Sequence, residues 1–276
     1  NNKGDKKILF VIRNTDYFHY YRTIICALLR RGYHLRLLCD RKWSDESSFA
    51  VFAEFQKEFP NFSYDWAISR TDHWRNILFH TREILSYRNY LLIRKYHQSR
   101  YYEERWLGYL APSFQRFFAI PGMKLFLKSR IASGILRIVE WVAPPYSDIV
   151  KNIKEFSPDA VIASPVNMRF SSVDLEYLKI AVKMHIPTAL PVFSWDNLTT
   201  KGLIHIFPDR LLAWNDVQQW EAQIYHQIPK NRIRLIGAPM FDVWFSALKP
   251  SLTRTQFCEK YGLHVADPIV VYFGSS

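Results

Sequence analysis

The sequence predicts an α/β fold in which helices flank a parallel β-sheet. Its first apolar run, KILFVIR at 7–13, has the length and the β-branched composition of a buried strand. The next segment repeats apolar residues at the spacing of one helical face, and a second apolar run, HLRLLCD, follows at 34–40. The residues of that face are Tyr21, Ile24, Ile25, Leu28 and Leu29. Because parallel neighbours need a crossover between them, a strand, a helix and a strand in this order indicate a parallel sheet.

The alternation of strands and helices returns in the second half of the chain. Further apolar runs predict strands at 159–163, 188–193, 210–214 and 232–237. A capping box of Ser171 with Asp174 predicts the start of a helix that runs to His185. Other helices are predicted at 216–227, from 238 onwards and near 256–261. We therefore expect a Rossmann-like domain over 1–250.

The last apolar run, IVVYF at 269–273, predicts another buried strand, and Gly-Ser-Ser follows it. Such a turn is typical of the start of a new strand–helix unit. We expect 251–276 to be a linker and the first strand of a truncated second domain. The alternative is a strand added to the edge of the first sheet.

A basic and aromatic segment interrupts the α/β pattern at about 66–146, and we expect it to be a helical insertion. From Arg70 to Arg137 there are thirteen Lys and Arg against four Asp and Glu, whereas the whole chain has a net charge of +12. Such a segment favours an anionic partner: phosphates, a membrane surface or nucleic acid. The α/β context, without a nucleic-acid-binding motif, argues against nucleic acid.

One helix of this insertion has a marked apolar stripe. In RIASGILRIVEWVA, at 130–143, isoleucine and valine recur along one side, with Arg130 and Arg137 nearby. The stripe consists of Ile131, Ile135, Ile138 and Val142. It predicts a helix that lies on an anionic membrane surface, with contacts spread over 70–142. The alternative is a helix that packs this stripe into the core and leaves a basic face in solvent.

Several classes of site and location are excluded by the sequence. The three cysteines have no CxxC or Cys/His ligand spacing, and the histidines form no HExxH motif, so no metal site is expected. The sequence contains no uncharged run of 18 residues, so no helix is expected to cross a membrane. The unpatterned cysteines indicate a reducing compartment, and we expect a cytoplasmic protein that associates peripherally with the inner face of the membrane.

The loop FSWDNLTTKGL at 193–203 is the first candidate site. It follows a predicted strand, and open α/β sheets bind ligands beyond the carboxyl ends of their strands. Asp196 is the first candidate for a general base that acts on an acceptor hydroxyl. The other candidate contacts are Trp195 stacking on a sugar ring, Asn197, Thr199 and Thr200 binding sugar hydroxyls, and Lys201 binding a phosphate. The alternative is that Asp196 caps a turn and Lys201 is solvated.

The corresponding loop after the first strand is NTDYFHYYR, at 14–22. Asp16, His19 and Arg22 are expected to face the same cleft, because parallel strands present their carboxyl ends on one side. His19 is the second candidate base, since histidine changes its charge near neutral pH. The alternative is that Asp16 caps the first helix and His19 packs. The loop lacks GxGxxG, so it is no dinucleotide fingerprint.

A third turn, IGAPMFD at 236–242, places Gly237 between a strand and a helix. Glycine allows close approach of a ligand to the backbone, and a helix N-terminus favours an anion. The alternative is a tight turn without a ligand.

The order of these elements resembles the N-terminal half of GT-B glycosyltransferases. The resemblance is carried by DRLLAWNDVQQWEAQIYHQ at 209–227 and by NRIRLIGAPMFD at 231–242, which ends in a turn similar to the (T/I)GxPxxD of that superfamily. The run VVYFGSS at 270–276 looks like the opening strand and turn of its nucleotide-binding domain. Gly274 and Ser275, with Gly237, would then contact the nucleotide sugar.

Two branches of the superfamily are closest. Nonhydrolysing UDP-N-acetylglucosamine 2-epimerases share the helix, strand and G-x-P/V pattern. The segment SWDNLTTKG is similar to the Trp-His-Gly-Thr segment, followed by Lys and Gly, of CDP-glycerol glycerophosphotransferases. Trp195, Lys201 and Gly202 match in kind, whereas Asp196 stands where that family has histidine and Asn197 where it has glycine.

The resemblance implies an enzyme that transfers a sugar from a nucleotide-sugar donor to a saccharide or lipid-linked saccharide, without a bound metal or cofactor. The product would be a surface polysaccharide or a glycolipid, and this chain would be mostly the acceptor domain. One alternative is a nucleotide-sugar epimerase, which forms an isomerised nucleotide sugar and needs no acceptor. The other is a non-catalytic module that binds membranes or polyanions and is indifferent to Asp196.

Overall fold

The computed structural model describes residues 6–45, 47, 49–93, 100–169, 173–246, 248–272 and 274. The chain divides into two units, Asn1–Met240 and Phe241–Ser276. In the described part of the first unit, seven strands form one parallel sheet with the order β3-β2-β1-β4-β5-β6-β7. The strands are β1 (Lys7–Ile12), β2 (His34–Cys39), β3 (Phe62–Trp66), β4 (Ala160–Ser164), β5 (Thr188–Pro191), β6 (Arg210–Ala213) and β7 (Ile233–Leu235). The predicted α/β class with a Rossmann-like parallel sheet is confirmed.

Helices cover both faces of this sheet. They are α1 (Phe18–Arg30), α2 (Phe49–Glu58), α3 (Trp74–Ile93), α4 (Tyr101–Tyr109), α5 (Pro112–Ala119), α6 (Met123–Lys128), α7 (Arg130–Val142), α8 (Ser147–Phe156), α9 (Val173–Lys183), α10 (Asn197–Thr200) and α11 (Asp216–His226). The helices α3 to α7 form the predicted insertion. The sequence did not indicate α2, β3 or α8, and the predicted start of the insertion at Trp66 is wrong, because Trp66 ends β3. The polar, partly exposed residues of β3 belong to an edge strand that pairs only with β2.

Strand β1 lies inside the sheet between β2 and β4, and it is buried on both faces. Phe10 and Ile12 pack under α1 and α2, whereas Leu9 and Val11 pack under α8 and α9. From β1 the chain builds β2 and β3 on one side and then returns with β4 on the other side. This reversal is a topological switch point, and in open parallel sheets the crevice beside such a point is the usual ligand site.

The insertion is joined to the sheet domain by a buried cluster of charged side chains, here called the ionic cluster. Its members are Arg70, Arg82 on α3, Glu140 on α7, and Glu176 and Lys179 on α9. The guanidinium of Arg82 lies 2.8 Å from Glu140 Oε1 and 2.6 Å from Glu176 Oε1. Arg70 Nη1 lies 3.1 Å from Glu176 Oε2, and Lys179 Nζ lies 2.8 Å from Glu140 Oε1.

Charge pairing keeps these buried carboxylates ionised. Burial alone would raise the pKa of Glu140, but Arg82 and Lys179 outweigh it and lower that pKa to about 2. The pKa of Glu176 is also lowered, because the same two cations outweigh the cost of desolvation. An ionised group of this kind is costly to bury alone, so each member depends on its partners.

The second unit carries two short helices, α12 (Asp242–Ser246) and α13 (Arg254–Tyr261). The prediction of a helix near 256–261 is confirmed, and a capping box of Thr253 with Gln256 begins it. The predicted strand at 269–273 is wrong for its described residues, because 269–272 lie outside any strand and Val270 and Tyr272 are exposed. A strand needs a neighbour for its backbone groups, and no described strand pairs with this segment. The seven described strands of the sheet do not include this segment, and the second domain stays a prediction.

The predicted capping box of α9 falls partly outside the described residues. Ser171 lies outside them, whereas Asp174 is described on α9 and is fully buried. Its Oδ2 accepts a hydrogen bond of 2.7 Å from the backbone N–H of Val166, in the loop after β4. Asp174 therefore ties α9 to that loop.

The ionic cluster makes stability depend on Glu176. We expect Glu176→Gln to lower the free energy of unfolding by roughly 3–5 kcal/mol, because Arg70 would keep only Asp72 as a partner and Arg82 would share Glu140 with Lys179, which leaves one positive charge of the cluster without a counter-charge. The matched control is Glu54→Gln, which removes an exposed pair with Lys57 and should cost roughly 0–1 kcal/mol. Urea denaturation of both variants measures the difference. Equal small losses would show that the cluster does not hold the insertion.

Candidate functional site

The loops after β1 and β5 meet at the carboxyl edge of the sheet, as the sequence predicted. The ring of Tyr17 stacks on Phe193 with the centroids 4.0 Å apart, and the ring of Tyr20 meets Phe193 edge-on at 4.7 Å. Phe193 directly precedes the polar loop at 194–203. The residues after the first strand and the residues of that loop therefore line the same edge.

Asp196 is surrounded by donors from its own loop. Its Oδ1 accepts a hydrogen bond of 2.6 Å from Ser194 Oγ, and its Oδ2 accepts one of 2.8 Å from Thr200 Oγ1. Lys201 Nζ lies 3.1 Å from the same Oδ2. Burial raises the pKa of Asp196, but these three donors outweigh it and hold the pKa below its usual value. The carboxylate thus pairs with side chains of its own loop but makes no capping hydrogen bond to a backbone N–H of α10, and Lys201 is paired with it as well as partly exposed.

Asn197 and Gly202 fasten the loop to the loop after β4. The Nδ2 group of Asn197 donates to Asn167 Oδ1 at 2.8 Å, and Asn167 Nδ2 donates to the carbonyl oxygens of Asn197 at 2.9 Å and Gly202 at 3.1 Å. The backbone N–H of Gly202 donates to the carbonyl oxygen of Asn167 at 2.8 Å. Asn197 and Gly202 are both buried, so the expectation that they contact a sugar has no support in their contacts.

Two helices hold the rest of this loop from below. On α3, the hydroxyl of Tyr90 donates to the carbonyl oxygens of Thr199 and Lys201, at 3.0 Å and 2.8 Å, and Ser86 Oγ accepts from the N–H of Leu203 at 3.1 Å. On α11, His226 bridges two backbone groups. Its Nδ1 accepts from the N–H of Ile204 at 3.1 Å, and its Nε2 lies 2.8 Å from the carbonyl oxygen of Leu198.

The contacts of His226 fix its charge as well as its position. Because Nδ1 accepts a hydrogen bond, the proton of the ring is on Nε2, which donates to Leu198. Burial lowers the pKa of His226 to about 4, so the ring is neutral at neutral pH. The sequence analysis did not single out His226, and a histidine on a helix far along the chain gave no signal of this role.

Trp195 is the residue of the loop that projects into solvent. Its side chain is 75% exposed, whereas the residues on either side are held by hydrogen bonds. The hydroxyls of Thr199 and Thr200 both lie 3.2 Å from the carbonyl oxygen of Asp196, so they belong to the turn. An exposed indole at the rim of a cleft can stack on a sugar ring, and that predicted role stays open.

The candidate residues after β1 lie at the surface. Asp16 and His19 are exposed. Asn14 caps the short 3₁₀ turn Thr15–Tyr17 that precedes α1, since its Oδ1 accepts from the N–H of Tyr17 at 3.2 Å, and no side chain caps α1 itself. The alternatives that Asp16 caps the helix and that His19 packs are therefore wrong. Arg22 is also exposed, and its guanidinium lies 5.8 Å from the ring centroid of Phe55 on α2. Arg22 thus lies on the side of α1 that contacts α2.

Arg13 is a residue of the edge that the sequence analysis missed. It directly follows β1 and is buried. Its Nη1 donates to the carbonyl oxygen of Arg169, in the loop after β4, at 3.1 Å, and its guanidinium lies 4.5 Å from the ring centroid of Trp43. Arg13 therefore bridges β1 and β4 at the switch point. Its place immediately after a central strand is the signal that could have identified it.

A small enclosed space of about 20 Å³ lies behind the Asn167 and Gly202 contacts. Glu83, Trp106 and His205 line it, and burial raises the pKa of Glu83 to about 7 although Arg169 lowers it. Desolvation lowers the pKa of His205 to about 3. The space has room for one water-sized molecule but not for a sugar, so Glu83 is no candidate for direct contact with a saccharide.

The turn after β7 is open around Gly237. Gly237 is exposed with a φ of 78°, a left-handed conformation that favours glycine, and no side chain or backbone crowds the position of a Cβ. A single turn of 3₁₀-helix, Pro239–Phe241, follows it. These features fit the tight-turn alternative. Gly274 is described, whereas Ser275 lies outside the described residues.

The described residues offer neither a metal-binding cluster nor a helix that could cross a membrane. Among them, no group of three or more His, Cys, Asp or Glu side chains could hold a metal ion. No described helix is long and apolar enough to cross a membrane.

Comparison with known proteins adds no relative. No protein-family model matches the chain, and no curated protein matches it closely enough to count as similar. The residues that remain accessible at the carboxyl edge are Asp16, His19 and Trp195, with Lys201 partly exposed. Their side chains carry a carboxylate, an imidazole, an indole and an ammonium group.

Gly202 is a sensitive point of this edge. A Cβ at Gly202 would lie 2.8 Å from the carbonyl oxygen of Asn167, which cannot move without breaking the contacts between the two loops. We expect Gly202→Ala to lower the free energy of unfolding by roughly 1–3 kcal/mol through overpacking. Gly134→Ala is the matched control, because Gly134 lies inside α7 with nothing near its Cβ position, and alanine there should stabilise by roughly 0.5–1 kcal/mol. Thermal and urea denaturation measure both values, and a neutral Gly202→Ala would contradict the close contact.

Proposed function

We propose that this chain is the acceptor-binding half of a GT-B type glycosyltransferase. It would help to move a sugar from a nucleotide-sugar donor to a saccharide or lipid-linked saccharide, in the synthesis of a surface polysaccharide or glycolipid. One observation carries the proposal: the loops after β1, β4 and β5 are fastened together beside the switch point between β1 and β4. Ligands of open parallel sheets bind at such a point, and fixed loops give a binding site its precision.

The accessible residues at this edge have chemistry that suits the proposal. The exposed ring of Trp195 can stack on one face of an acceptor sugar. Lys201 has three N–H donors, so it can bind an anionic group of the acceptor while it remains paired with Asp196. Neither role requires the loop to change its backbone conformation.

The contacts of the two candidate bases favour His19 over Asp196. The donors around Asp196 lower its pKa, and a carboxylate with a lowered pKa is a weaker base. His19 is exposed in the first turn of α1, between Tyr17 and Tyr20, which both meet Phe193. An imidazole there would accept the proton of an acceptor hydroxyl as its oxygen attacks the anomeric carbon and the nucleoside diphosphate leaves. We therefore assign proton removal to His19 and the ordering of the loop to Asp196.

The test uses the native protein that contains this chain, a panel of nucleotide sugars, and a membrane extract of its source cell as acceptor. We expect His19→Ala to lower kcat roughly 100-fold or more, the usual effect of losing a general base. His34→Ala is the matched control and should stay within about twofold, because His34 is also an exposed histidine but begins β2, at the opposite, amino-terminal edge of the sheet. Transfer of radiolabelled sugar to the extract is the measurement.

The outcomes separate the alternatives. If His19→Ala keeps full turnover while Asp196→Asn abolishes it, Asp196 is the base after all. An isomerised nucleotide sugar formed without any acceptor would identify an epimerase. If no nucleotide sugar is consumed by the native protein, the transferase proposal is wrong.

A further inference from the structure

The apolar stripe of α7 faces away from the protein. Ile131 is 70% exposed and Ile135 and Ile138 are also exposed, whereas Ala132 and Glu140 on the other side of the helix are buried. The alternative that this stripe packs into the core is therefore wrong. A helix that turns its isoleucines outward and its glutamate inward has the reverse of the usual orientation at a protein surface.

Neighbouring helices extend this surface. Exposed apolar side chains on and next to α5 and α6 are Phe117, Ile120, Leu125 and Phe126, and the C-terminal turn of α7 adds Trp141, which is 77% exposed, and Val142. We call these residues and the α7 stripe the apolar ridge. Between the helices lies a cavity of about 390 Å³ with an almost wholly apolar lining, to which Phe117, Phe126 and Ile135 contribute. Large exposed apolar patches on soluble proteins mark sites that bind other proteins or membranes.

The charge of the same segment is entirely positive. From 105 to 139 the sequence contains no Asp or Glu, and it contains six basic residues: Arg105, Arg116, Lys124, Lys128, Arg130 and Arg137. Arg116, Lys128, Arg130 and Arg137 are exposed on the helices that carry the apolar ridge. The acidic residue that follows, Glu140, points into the ionic cluster and does not neutralise this surface.

We propose that the apolar ridge docks on an anionic lipid bilayer. Its isoleucine and aromatic side chains would enter the boundary between headgroups and acyl chains, and its exposed Lys and Arg would bind lipid phosphates. A second copy of this chain fits the surface less well, because a symmetric contact would bring Lys128, Arg130 and Arg137 against the same cations of the copy. The surface lies on the insertion and needs no catalytic residue, so the proposal stands or falls separately from the transferase proposal.

The experiment measures cosedimentation of the native protein with vesicles of phosphatidylcholine and phosphatidylglycerol at 3:1, and with vesicles of phosphatidylcholine alone. We expect the partition coefficient of the wild type to be roughly tenfold or more higher on the anionic vesicles. The double substitution Ile131→Ser with Ile138→Ser should lower binding to anionic vesicles roughly tenfold or more. Lys128→Gln with Arg130→Gln should lower it roughly 25-fold, about fivefold for each charge, at low salt.

Matched controls test whether the effect belongs to the ridge. Val217→Ser removes an apolar side chain of 62% exposure on α11, and Lys151→Gln with Lys154→Gln removes two exposed cations on α8. Both should leave vesicle binding within about twofold. All substituted side chains are exposed, and far-UV circular dichroism with a melting curve verifies that each variant folds.

A second readout reports on the ridge directly. Lipids brominated near the headgroup quench tryptophan that enters the boundary, and we expect less quenching in Trp141→Phe than in the wild type. Equal binding by the Ile131/Ile138 variant and the wild type would overturn the proposal. So would a wild type that forms dimers through Ile131 and Ile138 but does not bind vesicles, because the ridge would then be an interface between copies.

Discussion

The ionic cluster is the interaction on which the rest of this structure depends. It places Arg82 of α3 and Glu140 of α7 against Glu176 and Lys179 of α9, and α9 packs directly on the sheet. Three buried cations and two buried carboxylates, with Asp72 as a further partner of Arg70, cannot slide or rotate without leaving a charge unpaired. The cluster therefore sets the rotation of α3 and α7, and not only their distance from the sheet.

Both candidate functional surfaces follow from that rotation. Residues four apart share a helical face, so the orientation of Arg82 also directs Ser86 and Tyr90 inward, where they hold the backbone of 199–203. On α7, the inward position of Glu140 leaves Ile131 and the rest of its stripe on the outer face. One buried cluster thus fixes the loop at the carboxyl edge and presents the apolar ridge outside. A cavity of about 480 Å³ lies between the loop and the apolar ridge, and it is lined by Trp141 and by residues 203, 205 and 206.

The sequence predicted the elements whose pattern is local. Apolar runs and helical spacing identified β1, α1, β2 and most later strands, because burial on both faces leaves a continuous apolar run. Edge strand β3 lacked that pattern. At the site, the predicted convergence of the loops follows from parallel topology alone. The partners of the site residues could not be predicted in this way: Asp196 pairs with Lys201, and Asn197 pairs with the distant Asn167. Pairing of this kind produces no periodic pattern in the sequence. For the same reason the direction of the α7 stripe remained open until the partners of Glu140 were known. The run at 269–273 is the opposite case to β3: its apolar composition predicts a strand, but its described residues 269–272 form none.

Hydrogen exchange of the loop amides tests this account most directly. The amide of Leu203 donates to Ser86 on α3, whereas the amide of Ile204 donates to His226 on α11. In Glu176→Gln, the account predicts that exchange at Leu203 accelerates more than exchange at Ile204, because α3 loses its fixed rotation, whereas β1 accelerates only by the loss of global stability. Unchanged protection at Leu203, in a variant whose insertion helices are measurably less stable, would contradict the claim that the ionic cluster positions the loop.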